Sequence, residues 1–286
     1  MRNSEIRFFA IVATLTSLLT LALASPVHAA SGPRLDRAPT LRMSYGFVDP
    51  SLKEVQAPFA DLGTVEIGIG SMTLEVARDN LVECEVGEVQ VGRVSAPLRE
   101  GAAFGETELE GWRANLNWAT GYGYPIGKVR FVLTQTMGLG FTRVDIDTSG
   151  FGDGDDPAVA ADLRDLGYFD EEIRFGTNME AGALLQISSF AGIQAGYERS
   201  LAFRSFQGFE WLGSALLEQA GRALLTAFVD RVRERRPAAV PILNFVLQNG
   251  WSYAAYELRR KDMYFPFDSA PPLLLDNFKV GVRFTF

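Results

Sequence analysis

The segment from Asn277 to Phe286 alternates without a break. Phe278, Val280, Val282, Phe284 and Phe286 are apolar, and Lys279, Gly281, Arg283 and Thr285 between them are polar or glycine. Side-chain direction in an extended strand has a period of two, so this pattern builds one strand with two unlike faces. The segment ends on an aromatic ring with no polar tail, which is unusual for a soluble protein.

The opposite end carries a different signal. Arg2 and Arg7 flank a short polar start, and Phe8 to Ala24 is apolar apart from Thr14, Thr16, Ser17 and Thr20. Ser25 and Pro26 follow, and Val27-His28-Ala29 fits a small-x-small cleavage site before Ala30. A basic start, a short apolar core and a small-residue exit predict a cleaved secretory signal peptide over 1–29. The competing reading, an uncleaved anchor, has a run at the short limit for spanning a bilayer. No cysteine lies near the site, so a lipid-anchored mature terminus is not expected.

Cleavage narrows the chemistry. His28 is the one histidine and leaves with the leader, which removes Ser-His-Asp, Cys-His and histidine–metal sites from consideration. Loss of Arg2, Arg7 and Glu5 moves the formal net charge from -8 to -9, against nonspecific nucleic-acid binding. Cys84 is the single cysteine and has no partner for an internal disulfide. Its neighbours Glu83 and Glu85 lack the positive charge that activates a thiol, so it reads as a small strand residue.

Residues 30–286 have the length of one barrel or one large β domain. After the leader, no segment has the ~20 continuous apolar residues of a transmembrane helix. The chain is nevertheless 47% hydrophobic, with 21 Phe and 28 Gly. Apolar content spread thinly over alternating strands suits a membrane barrel, and a soluble β-sandwich gives a similar pattern. Strands are expected near 40–49, 62–72, 84–97, 110–120, 127–146, 181–199, 251–260 and 277–286. Near Ser71 the apolar phase flips from Val65, Ile67 and Ile69 to Met72, Leu74 and Val76, which predicts a bulge or a new strand. Trp112 and Trp118 are placed at two membrane interfaces, and Gly121–Gly127 at a tight turn.

Two segments depart from a plain barrel. From Asp145, side-chain oxygens on Asp145, Asp147, Ser149, Asp153 and Asp156 fall at positions 1, 3, 5, 9 and 12, with Gly150 at 6. That is the spacing of a twelve-residue calcium loop, with Asp156 in place of the usual Glu and strands on both sides. The other reading is a solvated acidic loop. A helical insertion is expected over about 211–249, with Leu212, Leu216, Leu224, Leu225, Phe228 and Val232 at helical steps. Its first helix ends in Arg231, Arg233, Arg235 and Arg236 before Pro237. An interfacial helix pair with these arginines on anionic head groups, a plug inside the barrel, and a cap on its rim all fit. Strand parity then puts the acidic loop outside the cell and the insertion on the periplasmic side.

The leader, the alternating strands and Val280-x-Val282-x-Phe284-x-Phe286 resemble bacterial outer-membrane β-barrel proteins. The resemblance implies an antiparallel transmembrane barrel of about eight (8–10) strands with a helical insertion before the last strands. It implies that Phe278, Val280, Val282, Phe284 and Phe286 form the signal read by the barrel assembly machinery. The expected partners are outer-membrane lipids and lipopolysaccharide, with no nucleic acid, no cofactor beyond the calcium candidate, and an open oligomeric state. Functionally the reading is a non-enzymatic structural or binding protein or a narrow pore. The alternatives are a lipid-modifying enzyme without a catalytic histidine and a soluble periplasmic β protein.

Overall fold

The computed structural model describes residues 37–286 except 54, 57, 78, 100–105 and 149–156, so the predicted leader lies outside the described residues. Eight strands form a closed antiparallel barrel in sequence order. They are β1 (Ala38–Ser51), β2 (Leu62–Val76), β3 (Val82–Ser95), β4 (Glu108–Ile126), β5 (Val129–Asp147), β6 (Ile173–Gln186), β7 (Ala191–Ala202) and β8 (Leu273–Thr285). The alternating terminal segment is β8, and it closes the barrel by pairing with both β7 and β1; Met43 faces Val282 and Phe47 faces Phe278. Closure leaves no unpaired sheet edge.

Short connections lie at one end of the barrel, the turn end: 77–81, Gly127–Lys128 and 187–190. Long ones lie at the other, the loop end. The β5–β6 connection holds helix α1 (Pro157–Gly167), and the β7–β8 connection holds α2 (Gly208–Arg235) and α3 (Val240–Arg259).

The barrel is polar inside and apolar outside. On β1, Arg42 and Ser44 are buried in the lumen while Met43, Tyr45 and Phe47 are exposed. On β2, Glu66 is buried between the exposed Val65 and Ile67. The lumen is layered. A turn-end layer holds Met72, Val82, Cys84, Val86, Val132 and Leu184. A loop-end layer holds Val48, Leu62, Val94, Leu109, Val144 and Leu273, closed by Leu166 and Phe169 from and just after α1. Charged side chains fill the space between.

This layering corrects the reading at Ser71. The β2–β3 register runs unbroken from Gly63↔Ser95 to Val76↔Val82, with no bulge. The apolar phase flips because Met72 and Leu74 reach the apolar turn-end layer of the lumen, so the inward positions become the apolar ones.

Three other expectations change. The stretch 181–199 is two strands, β6 and β7, joined at 187–190. The stretch 251–260 is the end of helix α3, where buried Gln248, Ser252, Tyr256 and Arg259 recur at helical spacing. The turn expected over Gly121–Gly127 shrinks to Gly127, at φ +62°, and Lys128; Gly121 and Gly123 are paired strand residues. A Cβ on Gly123 would stand 2.0 Å from the Phe131 carbonyl oxygen, so glycine is needed there for close strand approach. The count of eight strands survives two cancelling errors. The helical insertion therefore lies between β7 and β8, on the loop-end connection, and not between strands six and seven.

Candidate functional site

Two polar assemblies stand out, one inside the barrel and one on its outer wall. The first consists of four cations, Arg42, Arg113, Lys279 and Arg283, and four carboxylates, Glu66, Glu88, Glu180 and Glu198, all buried. Lys279 Nζ lies 3.0 Å from Glu66 and 2.9 Å from Glu180, and also pairs with Glu198. Arg42 bridges Glu88 at 3.0 Å and Glu180 at 3.1 Å. Arg283 meets Glu88 at 2.8 Å, and Arg113 pairs with Glu198. Seven of the eight strands, all but β5, donate to one network because every member sits at an inward position. Equal numbers of each sign leave it neutral, and the cavity beside it is about 20 Å³, space for about one water.

The second assembly is the α2–α3 hairpin. Trp251 of α3 crosses α2 at Gly221, where a Cβ would come within 2.2 Å of the ring, and its Nε1 donates to the Glu218 carbonyl oxygen at 3.0 Å. The buried stripe is polar: Ser214, Glu218 and Arg222 on α2, and Asn244, Gln248 and Ser252 on α3. Its α3 side lies on the outer wall of the barrel, where the outward Gln135 of β5 is buried beneath it. The faces turned away are apolar: Leu217, Leu224 and Phe228 on α2, and Ile242 and Val246 on α3, with Leu224 74% exposed, while the exposed Leu212 and Leu216 look along the barrel wall. The hairpin is therefore amphipathic in the inverse sense, polar inward and apolar outward. This also explains why no described helix is long and apolar enough to cross a membrane by the usual hydropathy measure: half of each helix is a polar seam.

Within that seam Glu218 holds two guanidinium groups. Arg222 donates to it through Nε at 3.2 Å and Nη2 at 3.0 Å, and Arg259 Nη1 lies 2.8 Å away. Arg222 Nη2 also donates to Ser252 Oγ at 2.7 Å, and Arg259 Nε to Ser214 Oγ at 3.1 Å. Two cavities adjoin here. One, about 300 Å³, is polar and lined by Gln135, Gln219, Arg222, Thr226, Asn244 and Gln248, reaching Glu83, Glu85 and Tyr122 toward the turn end. The other, about 390 Å³, is mainly apolar, with Trp118, Leu139, Met179, Trp211, Leu212 and Leu216 on its walls. Met137 and Gln219 line both, with Gln219 Nε2 3.8 Å from Met137 Sδ.

The hairpin reaches the full height of the barrel. α2 leaves the loop end, and its C-terminus meets the β2–β3 turn, where Arg233 Nε donates to Asp79 at 2.8 Å and Arg233 also pairs with Glu83. Tyr124 Oη donates to the Ala238 carbonyl oxygen at 2.7 Å on the same side. The hydrogen bond to Arg233 holds the Asp79 carboxyl below the ordinary aspartate range, and the same bond raises the Arg233 guanidinium further. A depressed carboxyl pKa contributes stability above the unfolded value, near 3.9, and loses it as pH falls through the lower folded value. Amide protection factors in the α2 C-terminal turn, which correct for the intrinsic pH dependence of exchange, should thus be constant from pH 8 to 5 and fall only in more acid solution. Arg233→Gln should give the low protection at every pH, with global stability changed by under about 1 kcal/mol, because the pair is partly exposed.

The residues singled out from sequence fall as follows. Arg233 is held by Asp79 and Glu83, while Arg231, Arg235 and Arg236 are exposed at the same tip. Phe278, Val280, Val282 and Phe286 are exposed on the outer face, and Phe284 and Phe286 stack against Phe190. Trp112 is outward beneath Arg93, but Trp118 stands at mid-strand against α2, not at an interface. Asp145 accepts two hydrogen bonds from Arg143, at 2.8 and 2.9 Å. Asp147 ends β5, and Ser149, Asp153 and Asp156 lie outside the described residues. Among the described residues no group of three or more acidic, cysteine or histidine side chains is arranged to hold a metal ion.

The lumen octet was missed by sequence reading, although a signal existed: Arg42, Glu66, Lys279 and Arg283 each stand between two apolar neighbours that face outward. The inverse polarity of the hairpin was also visible in Ser214, Glu218, Arg222 and Thr226 at a constant four-residue step.

No family model and no curated protein matches the chain. Among solved structures it is similar to the crystal structure of Neisserial surface protein A (NspA), at 10% sequence identity and a TM-score of 0.39, covering 87% of this chain and 97% of that one. A likeness that slight carries no inference, and the fold stands on the strand pairing given above.

Proposed function

We propose that the protein is an integral β-barrel of the outer membrane that works through its surface as a structural or binding protein, with a lumen closed to solutes. The observation that carries this is the reversed polarity: eight buried charges inside, and Met43, Phe47, Ile67, Ile69, Val280 and Val282 exposed outside. A barrel in water would expose the charges and bury the apolar side chains; one in lipid does the reverse. The α2–α3 hairpin continues the apolar exterior. From Trp211 to Val229 the helix is about 28 Å long, enough for the hydrocarbon layer, and its two charges in that span, Glu218 and Arg222, are paired in the seam. With short turns periplasmic and long connections outside, the arginine-ended tip sits at the periplasmic interface.

An eight-stranded barrel fills its interior with side chains, and here the filling is an ion-paired network between two apolar layers. The chain also has no histidine beyond residue 28, so the reading favours a scaffold or binder over a hydrolase. In planar bilayers the purified protein should give no conductance steps, while fractionating with outer membranes. Regular channel steps would refute the closed lumen, and recovery in the soluble periplasmic fraction would refute the membrane assignment.

A further inference from the structure

We infer that the cleft between the hairpin and the barrel wall is a lateral binding site that takes the anionic head and one acyl chain of an amphiphile, an inference that rests on the membrane reading above. Three observations meet there. The seam holds two guanidinium groups, Arg222 and Arg259, and among the described residues Glu218 is the one carboxylate paired with either. That leaves one positive charge in surroundings where an unbalanced charge is expensive, and an anion compensates it. Arg222 is 6% exposed and lines the polar cavity, yet its Nη1 is buried without a hydrogen-bond partner. A buried guanidinium N–H wants an anionic oxygen, and phosphate and carboxylate both fit its geometry.

The adjoining apolar cavity supplies the rest of the recognition. A methylene fills roughly the volume of a water molecule, ~30 Å³, so about 390 Å³ seats one chain of about a dozen carbons. Trp118, Leu139, Met179 and Leu216 offer it apolar walls, and Trp211 Nε1, also buried and unpartnered, offers a second donor. The two cavities share Met137 and Gln219, so head and chain of one molecule can occupy both. The polar cavity extends toward the turn end, where Glu83, which shares Arg233 with Asp79, and the carboxylate of Glu85 line it. Those acids repel an anionic head at the turn end and favour its placement at the Arg222 guanidinium.

Tryptophan quenching by brominated lipids tests this, because Trp118 and Trp211 line the chain cavity. The full-length mature protein, carrying Trp112→Phe to remove an exterior reporter, is reconstituted in phosphatidylcholine vesicles. Dibromostearate, dibromo-phosphatidylglycerol or dibromo-phosphatidylcholine is then titrated in at low mole fraction. One or both anionic probes should quench saturably, with dibromo-phosphatidylcholine quenching only in proportion to its mole fraction. Saturation by dibromostearate marks a free acyl carboxylate as the ligand type, and saturation by dibromo-phosphatidylglycerol a lipid phosphodiester. Arg222→Gln should raise the half-saturation point about tenfold, the effect of one charged hydrogen bond. Ala215→Phe, which fills the chain cavity and leaves Glu218 and Arg222 in place, should abolish the saturable part. It decides the matter even where Arg222→Gln fails to fold. Linear quenching by all three probes alike, unchanged by Ala215→Phe, means bulk lipid contact only and overturns the site while the membrane assignment stands. No quenching by any probe overturns both.

Discussion

Lys279→Met should lower the unfolding free energy of the barrel by about 3–5 kcal/mol, the largest single-residue effect expected in the chain. Lys279 is 1% exposed and meets Glu66, Glu180 and Glu198. Removing it leaves four buried carboxylates facing three guanidinium groups, so one negative charge is stranded in the lumen. Methionine nearly matches the lysine stem in volume, so the loss reports charge and not a cavity. Urea unfolding in lipid vesicles, followed by tryptophan fluorescence, measures it. The double variant Lys279→Met with Glu66→Leu restores neutrality and should recover most of the loss. A change under about 1 kcal/mol for Lys279→Met would show that the octet is solvated, and the closed lumen would fall with it.

The same residue shows how far the sequence could be read. The face Lys279, Gly281, Arg283 was recognisable as polar because period-two alternation is a local property of one strand. Its eventual surroundings were not legible. Glu66 and Glu198 lie far from Lys279 in sequence and meet it only because β8 closes against both β1 and β7. Alternation says which residues share a face and is silent on which strands face each other across a lumen. It also misled at Met72, where an apolar inward layer imitates a bulge.

Helices were harder to place than strands for a related reason. Leu212, Leu216 and Leu224 correctly signalled an amphipathic helix, but an apolar stripe does not say whether protein or lipid lies against it. Here the apolar stripe is outermost, and Ser214, Glu218 and Arg222 make the contact with α3. Residues 251–260 were read as a strand, and their Trp251, Tyr253 and Tyr256 are strand-favouring types. The tertiary contacts of Trp251 with Gly221 and of Tyr256 Oη with Asp276, at 2.7 Å, belong to a helix. Of the calcium-loop candidate, only Asp145 and Asp147 can be placed, and Asp145 is already engaged by Arg143.

Leu224→Arg is the substitution that separates a hairpin in lipid from a hairpin in water. Leu224 stands near the middle of α2 and is 74% exposed, so an arginine there meets no protein atom that could clash with it. If hydrocarbon covers this face, the charge should cost about 2.5–3.5 kcal/mol, the range for arginine at the centre of an inserted helix. If water covers it, the change should stay within about 0.5 kcal/mol, as for other surface substitutions. Ala239→Arg, at the exposed tip, is the control, and stays near zero on either reading. The cost need not fall on the barrel, whose strand pairing is independent of the hairpin. Vesicle-bound protein should therefore be followed by hydrogen exchange on α2 together with urea unfolding. Exchange that rises at Glu218–Phe228, with β4 and β5 still protected, means the hairpin has peeled from the wall into the interface. That result requires lipid against Leu224, because nothing in water would drive a leucine-to-arginine helix away from a seam that keeps Glu218, Arg222 and Arg259 paired.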